Sequence, residues 1–119
     1  MRKGKSAEYK QSILKCIYQA MLEKFNVPEN DLFMMIHEHD ADNFIYGKNY
    51  LDIERTDDLL MIQITINNTR TLEQKKALYA RISELLHQSI AIRTEDVLIN
   101  LLEVTKENWS FGNGIAQYA

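Results

Sequence analysis

The sequence holds one cysteine, one proline and four glycines in 119 residues. With Cys16 as the single thiol, no internal disulfide and no cysteine-based zinc cluster can form, which fits a reducing compartment and leads us to expect a cytoplasmic protein. So little proline and glycine excludes a linker-rich or disordered chain. An excess of positive charge is lacking as well: 14 Lys and Arg against 17 Asp and Glu leave a net charge of −3. No overall basic field therefore draws the chain to nucleic acid or to an anionic membrane surface. Nor is there a run of about 18 apolar residues to span a bilayer. Met1-Arg2-Lys3-Gly4-Lys5 has the basic character of a signal peptide's start, but polar Ser6–Gln11 follows where an apolar core is required. What is present is 45% hydrophobic residues, enough for one core at a length that suits a single domain, 1–119.

Shifting the chain by 65 residues against itself exposes a duplication. Lys5-Ser6 falls on Arg70-Thr71, Glu8 on Glu73, Lys10 on Lys75, Ile13 on Leu78, Ile17 on Ile82, Val27 on Ile92, Asp31 on Asp96, Leu32-Phe33 on Val97-Leu98, and Glu38 on Glu103. Ser6 and Thr71 are helix N-cap candidates, and Thr71-Leu72-Glu73-Gln74 has the form of a capping box. Behind them Ile13, Ile17, Met21 and Phe25, and then Leu78, Ile82, Leu85 and Leu86, recur at helical spacing and give each helix one apolar stripe. The runs Leu32–His39 and Val97–Val104 read as strands. The second unit opens on a strand of its own, Leu59–Ile66, with Ile62, Ile64 and Ile66 alternating with Gln63 and Thr65. Its counterpart in the first unit falls before Met1, so the repeat demands about seven residues, the first strand of a βαβ unit, upstream of the chain as written.

These units, 1–39 and 59–104, predict an α/β (α+β) fold of tandem βαβ repeats. The expected sheet is mixed and four-stranded once the opening strand is counted, with both helices on one face. Between the units, His39–Asp58 is a polar excursion of a length that often carries function, and 105–119 form a C-terminal arm, expected as a hairpin or an arm that packs elsewhere. A sheet with one uncovered apolar face calls for a symmetric oligomer.

The series Tyr50-Leu51-Asp52-Ile53-Glu54-Arg55-Thr56-Asp57-Asp58, Ile62-Gln63-Ile64-Thr65, Thr69-Arg70-Thr71, Glu73-Gln74-Lys75, Asn100-Leu101, Glu103-Val104 and Lys106-Glu107-Asn108-Trp109-Ser110-Phe111-Gly112-Asn113-Gly114 resembles the tautomerase superfamily. It is most similar to the fused, two-unit branch related to malonate semialdehyde decarboxylase and 4-oxalocrotonate tautomerase-like proteins. The resemblance covers nearly the whole chain. It implies a tautomerase/MIF-like sheet, a homotrimer, and a cofactor-independent isomerase acting on the enol and keto forms of a small 2-oxo acid, with neither organic cofactor nor metal. It also implies an amino-terminal proline as base, because a secondary amine in an apolar pocket has a lowered pKa. Residue by residue, Arg70 matches the arginine that binds the substrate carboxylate, Asp31 an acidic residue that activates water or orients the substrate, and Trp109 and Phe111 the pocket wall. Asn68 stands where the decarboxylase branch carries a second arginine, and no residue matches the proline. The unmatched proline and the strand demanded by the repeat fall at one place.

Each of these residues also has a plainer reading. Arg70 could be a solvated residue of a helix's first turn, although a cation is mildly disfavoured there. Asp31 and Asp96 could both serve a turn, and Trp109 and Phe111 could be core. His37 and His39, with Asp40 and Asp42 after them, have the spacing of a metal-binding pair, but no further ligand is in evident reach. Three alternatives to the isomerase stay open: a non-catalytic small-molecule-binding or assembly domain, a malonate semialdehyde decarboxylase-like lyase, and a ferredoxin-like regulatory module.

Overall fold

The computed structural model describes residues Met1–Ala119. Helix α1 spans Ala7–Phe25, strand β1 Leu60–Asn67, helix α2 Leu72–Ile90 and strand β2 Val97–Val104. Both helices start where a side-chain oxygen takes up an orphan N–H. Ser6 Oγ accepts from Tyr9 N at 3.1 Å. Thr71 Oγ1 accepts from Gln74 N at 3.2 Å while Gln74 Oε1 accepts from Thr71 N at 2.9 Å, so the capping box is complete. Both helices end in a left-handed residue, Asn26 (φ 51°) and Ala91 (φ 57°).

The duplication holds in three dimensions at the same shift of 65. Besides the helix bounds and caps, Lys10 Nζ pairs with Glu38 Oε1 at 2.9 Å and Lys75 Nζ with Glu103 Oε1 at 2.7 Å. In the second unit β1 and β2 pair in parallel from Leu60↔Val97 to Asn67↔Val104. Subtracting 65 from the last pair gives Arg2↔His39, and that parallel bridge is present. Around it, Met1 N donates to His37 O at 3.0 Å, His39 N to Met1 O at 2.8 Å, and Lys3 N to His39 O at 3.0 Å. The last of these repeats Asn68 N to Val104 O, also 3.0 Å.

The predicted strand Leu32–His39 is therefore corrected to an extended segment paired only at its far end. The cause is the absence of a partner: Met1–Lys3 lie beside His37–His39, and nothing lies beside Leu32–Ile36. Within residues 1–119 the sheet has two strands, β1 and β2; the expected count of four included the opening strand ahead of Met1. Because β1 and β2 are direct neighbours, the ferredoxin-like arrangement, which separates such a pair by another strand, is excluded.

Ile13, Cys16, Ile17, Ala20 and Phe25 of α1 meet Leu78, Ile82, Leu85 and Leu86 of α2 over Leu60 and Ile66 of β1, forming one buried cluster. Inward residues alternate along both strands, which leaves Met61, Leu98 and Leu102 exposed on the other face. The excursion between the units closes on itself. Arg55 Nη1 donates to the carbonyls of Gly47, Tyr50 and Ile53 at 3.0–3.2 Å, and the Tyr46 hydroxyl donates to Asp57 at 2.7 Å. The C-terminal arm is no hairpin. A short 3-10 turn, Lys106–Asn108, leads into a loop that Gln117 ties by accepting from Phe111 N at 2.9 Å and donating to Gly112 O at 2.8 Å. No helix is long and apolar enough to cross a membrane.

Candidate active site

Between the extended segment Asp31–His39 and β1 runs a slot, floored by α1, that forms a cavity of about 1130 Å³. Its two ends differ. Arg2 pairs with Asp57 at 3.1 Å and Lys5 with Asp58 at 2.8 Å, which fixes Met1 beside the start of β1. Arg70 follows the end of β1, about 20 Å further along at roughly 3.3 Å per residue.

Arg70, Asp31, Trp109 and Phe111 all line this cavity, as do His37 and His39, whereas Asp96 does not. Arg70 is half-buried and is not a solvated first-turn residue. Its Nη2 donates to the carbonyl of Phe25 at 2.7 Å, its Nη1 to Thr69 Oγ1 at 3.2 Å, and the guanidinium lies 5.0 Å from the centre of the Phe25 ring. A positive group thus meets the carbonyl end of α1, where the helix dipole favours it. Of five N–H donors two are used, leaving three for a ligand.

Asp31 and Asp96, equivalent in the repeat, have diverged. Asp96 is fully buried and accepts from both the backbone N–H and the hydroxyl of Thr56, holding the end of the excursion. That is a structural role. Asp31 bonds only through its backbone, its N–H donating to Pro28 O at 3.1 Å, which leaves its carboxylate free on the cavity wall.

The Trp109 indole N–H donates to Asn67 Oδ1 at 2.7 Å. Its ring stacks on Phe111 (5.1 Å, 15°), and Phe111 in turn meets Tyr118 edge-on at 5.3 Å and Phe33 at 6.1 Å. This wall is wider than sequence reasoning made it. Asn67, Phe33 and Tyr118 were missed because their roles arise only when the arm folds back over the end of β1, and Phe25 because its contact with Arg70 joins the end of α1 to the start of α2. The repeat gave no signal for them, since none of the four has an identical residue 65 positions away.

The chain's own terminal amine also lines the cavity, with its pKa lowered by burial and Glu38 acting in the opposite direction. It sits at the end away from Arg70. Pro28 also lines the cavity, but its nitrogen is an amide and cannot act as a base. His37 and His39 do not converge with other ligands: His39 stacks on Phe44 at 6.4 Å, and no group of three His, Cys, Asp or Glu side chains gathers anywhere. The end of the slot thus offers a partly desolvated guanidinium, a free carboxylate and an aromatic wall, suited to a small carboxylate with an apolar or conjugated body.

A family model described as a tautomerase enzyme matches residues 31–112, and a second with the same description matches residues 1–52. The probable tautomerase YusQ of Bacillus subtilis (strain 168) is 44% identical over 117 residues, covering 98% of this chain and 92% of that protein. Among solved structures, an FG41 malonate semialdehyde decarboxylase inhibited by 3-bromopropiolate is similar, with a TM-score of 0.92 and 30% identity over 98% of this chain and 88% of its own. A wild-type fused 4-OT, a symmetric trimer, shares the fold with a TM-score of 0.79 and 19% identity over 97% and 89% of the two chains.

Proposed function

This chain belongs to the tautomerase family, and on that premise we propose that it is a cofactor-independent isomerase interconverting the enol and keto forms of a small 2-oxo acid. The observation that supports the reading is that Arg70, Asp31, Trp109 and Phe111 all line one cavity. Arg70 pairs with the substrate carboxylate through its free N–H donors. Trp109 and Phe111 exclude water, which strengthens that pairing and favours the polarised enolate. Asp31 orients the substrate or holds a water against it.

The base is an amino-terminal proline at this same end, at the position the repeat makes equivalent to Leu60. Its amine, desolvated and therefore of lowered pKa, takes the enol hydroxyl proton and delivers a proton to the neighbouring carbon. Asn68 in place of a second arginine speaks for isomerisation over decarboxylation. The assembly that suits the exposed sheet face is a homotrimer, and the compartment is the cytoplasm.

Ketonisation of phenylpyruvate enol, followed by ultraviolet absorbance, tests this. We expect protein verified to begin at Met1 to give only the background rate. The same chain carrying Pro-Met-Ile-Gln-Ile-Thr ahead of Met1, with its proline exposed, should turn over. In that form Arg70→Ala should lower kcat/KM by a factor on the order of 10² to 10³, the equivalent of about 2–5 kcal/mol for a desolvated charge pair. Turnover by the Met1 form matching the proline form overturns the proposed base. Saturable binding of the 2-oxo acid without turnover in the folded proline form would assign the chain to the non-catalytic binding reading instead.

A further inference from the structure

We infer that the molecule carries a second site for a small carboxylate, the 65-residue counterpart of the proposed isomerase site, and that the chain's own Asp57 and Asp58 hold it shut as internal ligands. The inference goes beyond the isomerase reading and rests on the duplication, which is present whether or not the first site is catalytic.

Three observations carry it. First, the duplication runs on through the arm. The 3-10 turn Lys106–Asn108 has its counterpart, residue for residue, in Ala41–Asn43. Asn43 N donates to Asp40 O as Asn108 N does to Thr105 O, both at 3.0 Å. Asn43-Phe44-Ile45-Tyr46-Gly47 then repeats Asn108-Trp109-Ser110-Phe111-Gly112. The rings of Phe44 and Tyr46 meet at 6.1 Å where those of Trp109 and Phe111 stack at 5.1 Å. The aromatic wall therefore exists twice.

Second, the charged parts of the site exist twice as well. Lys5 takes the place of Arg70 and Asp96 that of Asp31, while Leu60 stands where the first unit's proline is proposed. These groups share one neighbourhood with the excursion. Burial raises the Tyr9 pKa, and the charges of Lys5, Asp58 and Asp96 all act on it. The hydrogen bond to Asp57 raises the Tyr46 pKa, with Arg2 and Asp96 acting on it too.

Third, the polar groups of this counterpart are taken, one after another, by Thr56-Asp57-Asp58. Asp58 lies on Lys5 at 2.8 Å, as a substrate carboxylate would lie on Arg70. Asp57 accepts from the Tyr46 hydroxyl at 2.7 Å and pairs with Arg2 at 3.1 Å, and Thr56 N donates to Asp96 at 2.7 Å. One donor is left over: Arg2 Nε is buried without a partner, and a carboxylate oxygen can satisfy it. A tethered carboxylate competes at high effective concentration, so a free one does not displace it. With both aspartates neutralised, Lys5 and Arg2 become free cations beside an aromatic wall, a combination that suits a small carboxylate with a short apolar body.

The probe is sodium propionate, added to the 119-residue protein and to its Asp57→Asn/Asp58→Asn variant. Nuclear magnetic resonance of the Lys5 ammonium and the Tyr46 ring reads binding, with sodium chloride at matched ionic strength and neutral propionamide as controls. We expect a saturable 1:1 response in the variant, with an affinity at least tenfold above that of the wild type, and none to either control. Amide signals of β1 and β2 that stay in place show the variant to be folded. If the double variant does not fold, Asp58→Asn alone serves, since the Asp58 side chain is 55% exposed and such an ion pair adds little stability. No saturable response in the folded variant, an equal response in the wild type, or the same response to chloride or propionamide overturns the inference. Arg70→Ala added to the variant separates the two proposals. The Lys5 response should persist there; its loss would place the propionate at the first site and overturn the inference. An inactive proline form with the Lys5 response intact counts against the isomerase reading alone.

Discussion

At the scale of single residues, Arg70 combines two duties. The features that prepare it for a carboxylate, partial burial and a fork held against Phe25, also tie the start of α2 to the end of α1. Arg70→Ala should therefore lower stability by about 1–3 kcal/mol, the range for a hydrogen bond to a charged group whose loss leaves a part-buried acceptor unpaired. Thermal melting checks this. A loss below about 0.5 kcal/mol, as for an ordinary surface residue, would mean that the guanidinium turns to solvent. Asp31 and Asp96 teach a related lesson. They occupy one place in the repeat, yet Asp96 is satisfied by Thr56 while Asp31 has no side-chain partner. Position in the repeat alone could not distinguish them, since the difference lies in a residue 40 positions away from Asp96.

At the scale of elements, Ser6 and Thr71 capping, the two apolar stripes and the second unit's strands were readable in the sequence because each rests on contacts within a few residues. The segment Leu32–His39 was not. Its apolar, β-branched character matches β2, but a strand exists only when a partner pairs with it, and no property of residues 32–36 reports whether one is there. The arm failed similarly: Trp109 and Phe111 were recognised, while their fixing by Asn67 and Gln117 depends on tertiary folding. One element end is strained in a testable way. Ala91 closes α2 at φ 57°, where an L-residue other than Asn or Gly is penalised, whereas α1 uses the tolerant Asn26 at the matching place. Ala91→Gly relieves this at some cost in unfolded-chain entropy. We expect a net gain of about 0.5–1 kcal/mol, seen as a Tm higher by about 2–6 °C. A lower Tm would show that Ala91 is unstrained.

At the scale of the whole molecule, the outer sheet face exposes Met61, Leu98 and Leu102, and across the slot Phe33 and Met35 are 77% and 76% exposed. Large apolar side chains left wet on one side of a small domain mark a subunit interface. Light scattering should return about three times 13.9 kDa, and Leu102→Asp, which places a charge within that face, should shift the population towards monomer. A monodisperse wild-type monomer at micromolar concentration contradicts the trimer. The two halves, finally, make the molecule its own control experiment. The amides of Lys3 and Asn68 donate in the same register to equivalent carbonyls at the same 3.0 Å. They differ in what stands behind them: a three-residue stub for Lys3, an eight-residue ladder for Asn68. Native-state exchange compares the two within a single sample. Lys3 should open by fraying and exchange at least 10²-fold faster than Asn68, whose opening requires the sheet to part. The ratio is the cooperativity that an intact strand confers on its last hydrogen bond, measured without a mutation and free of any change in solvent or reference state.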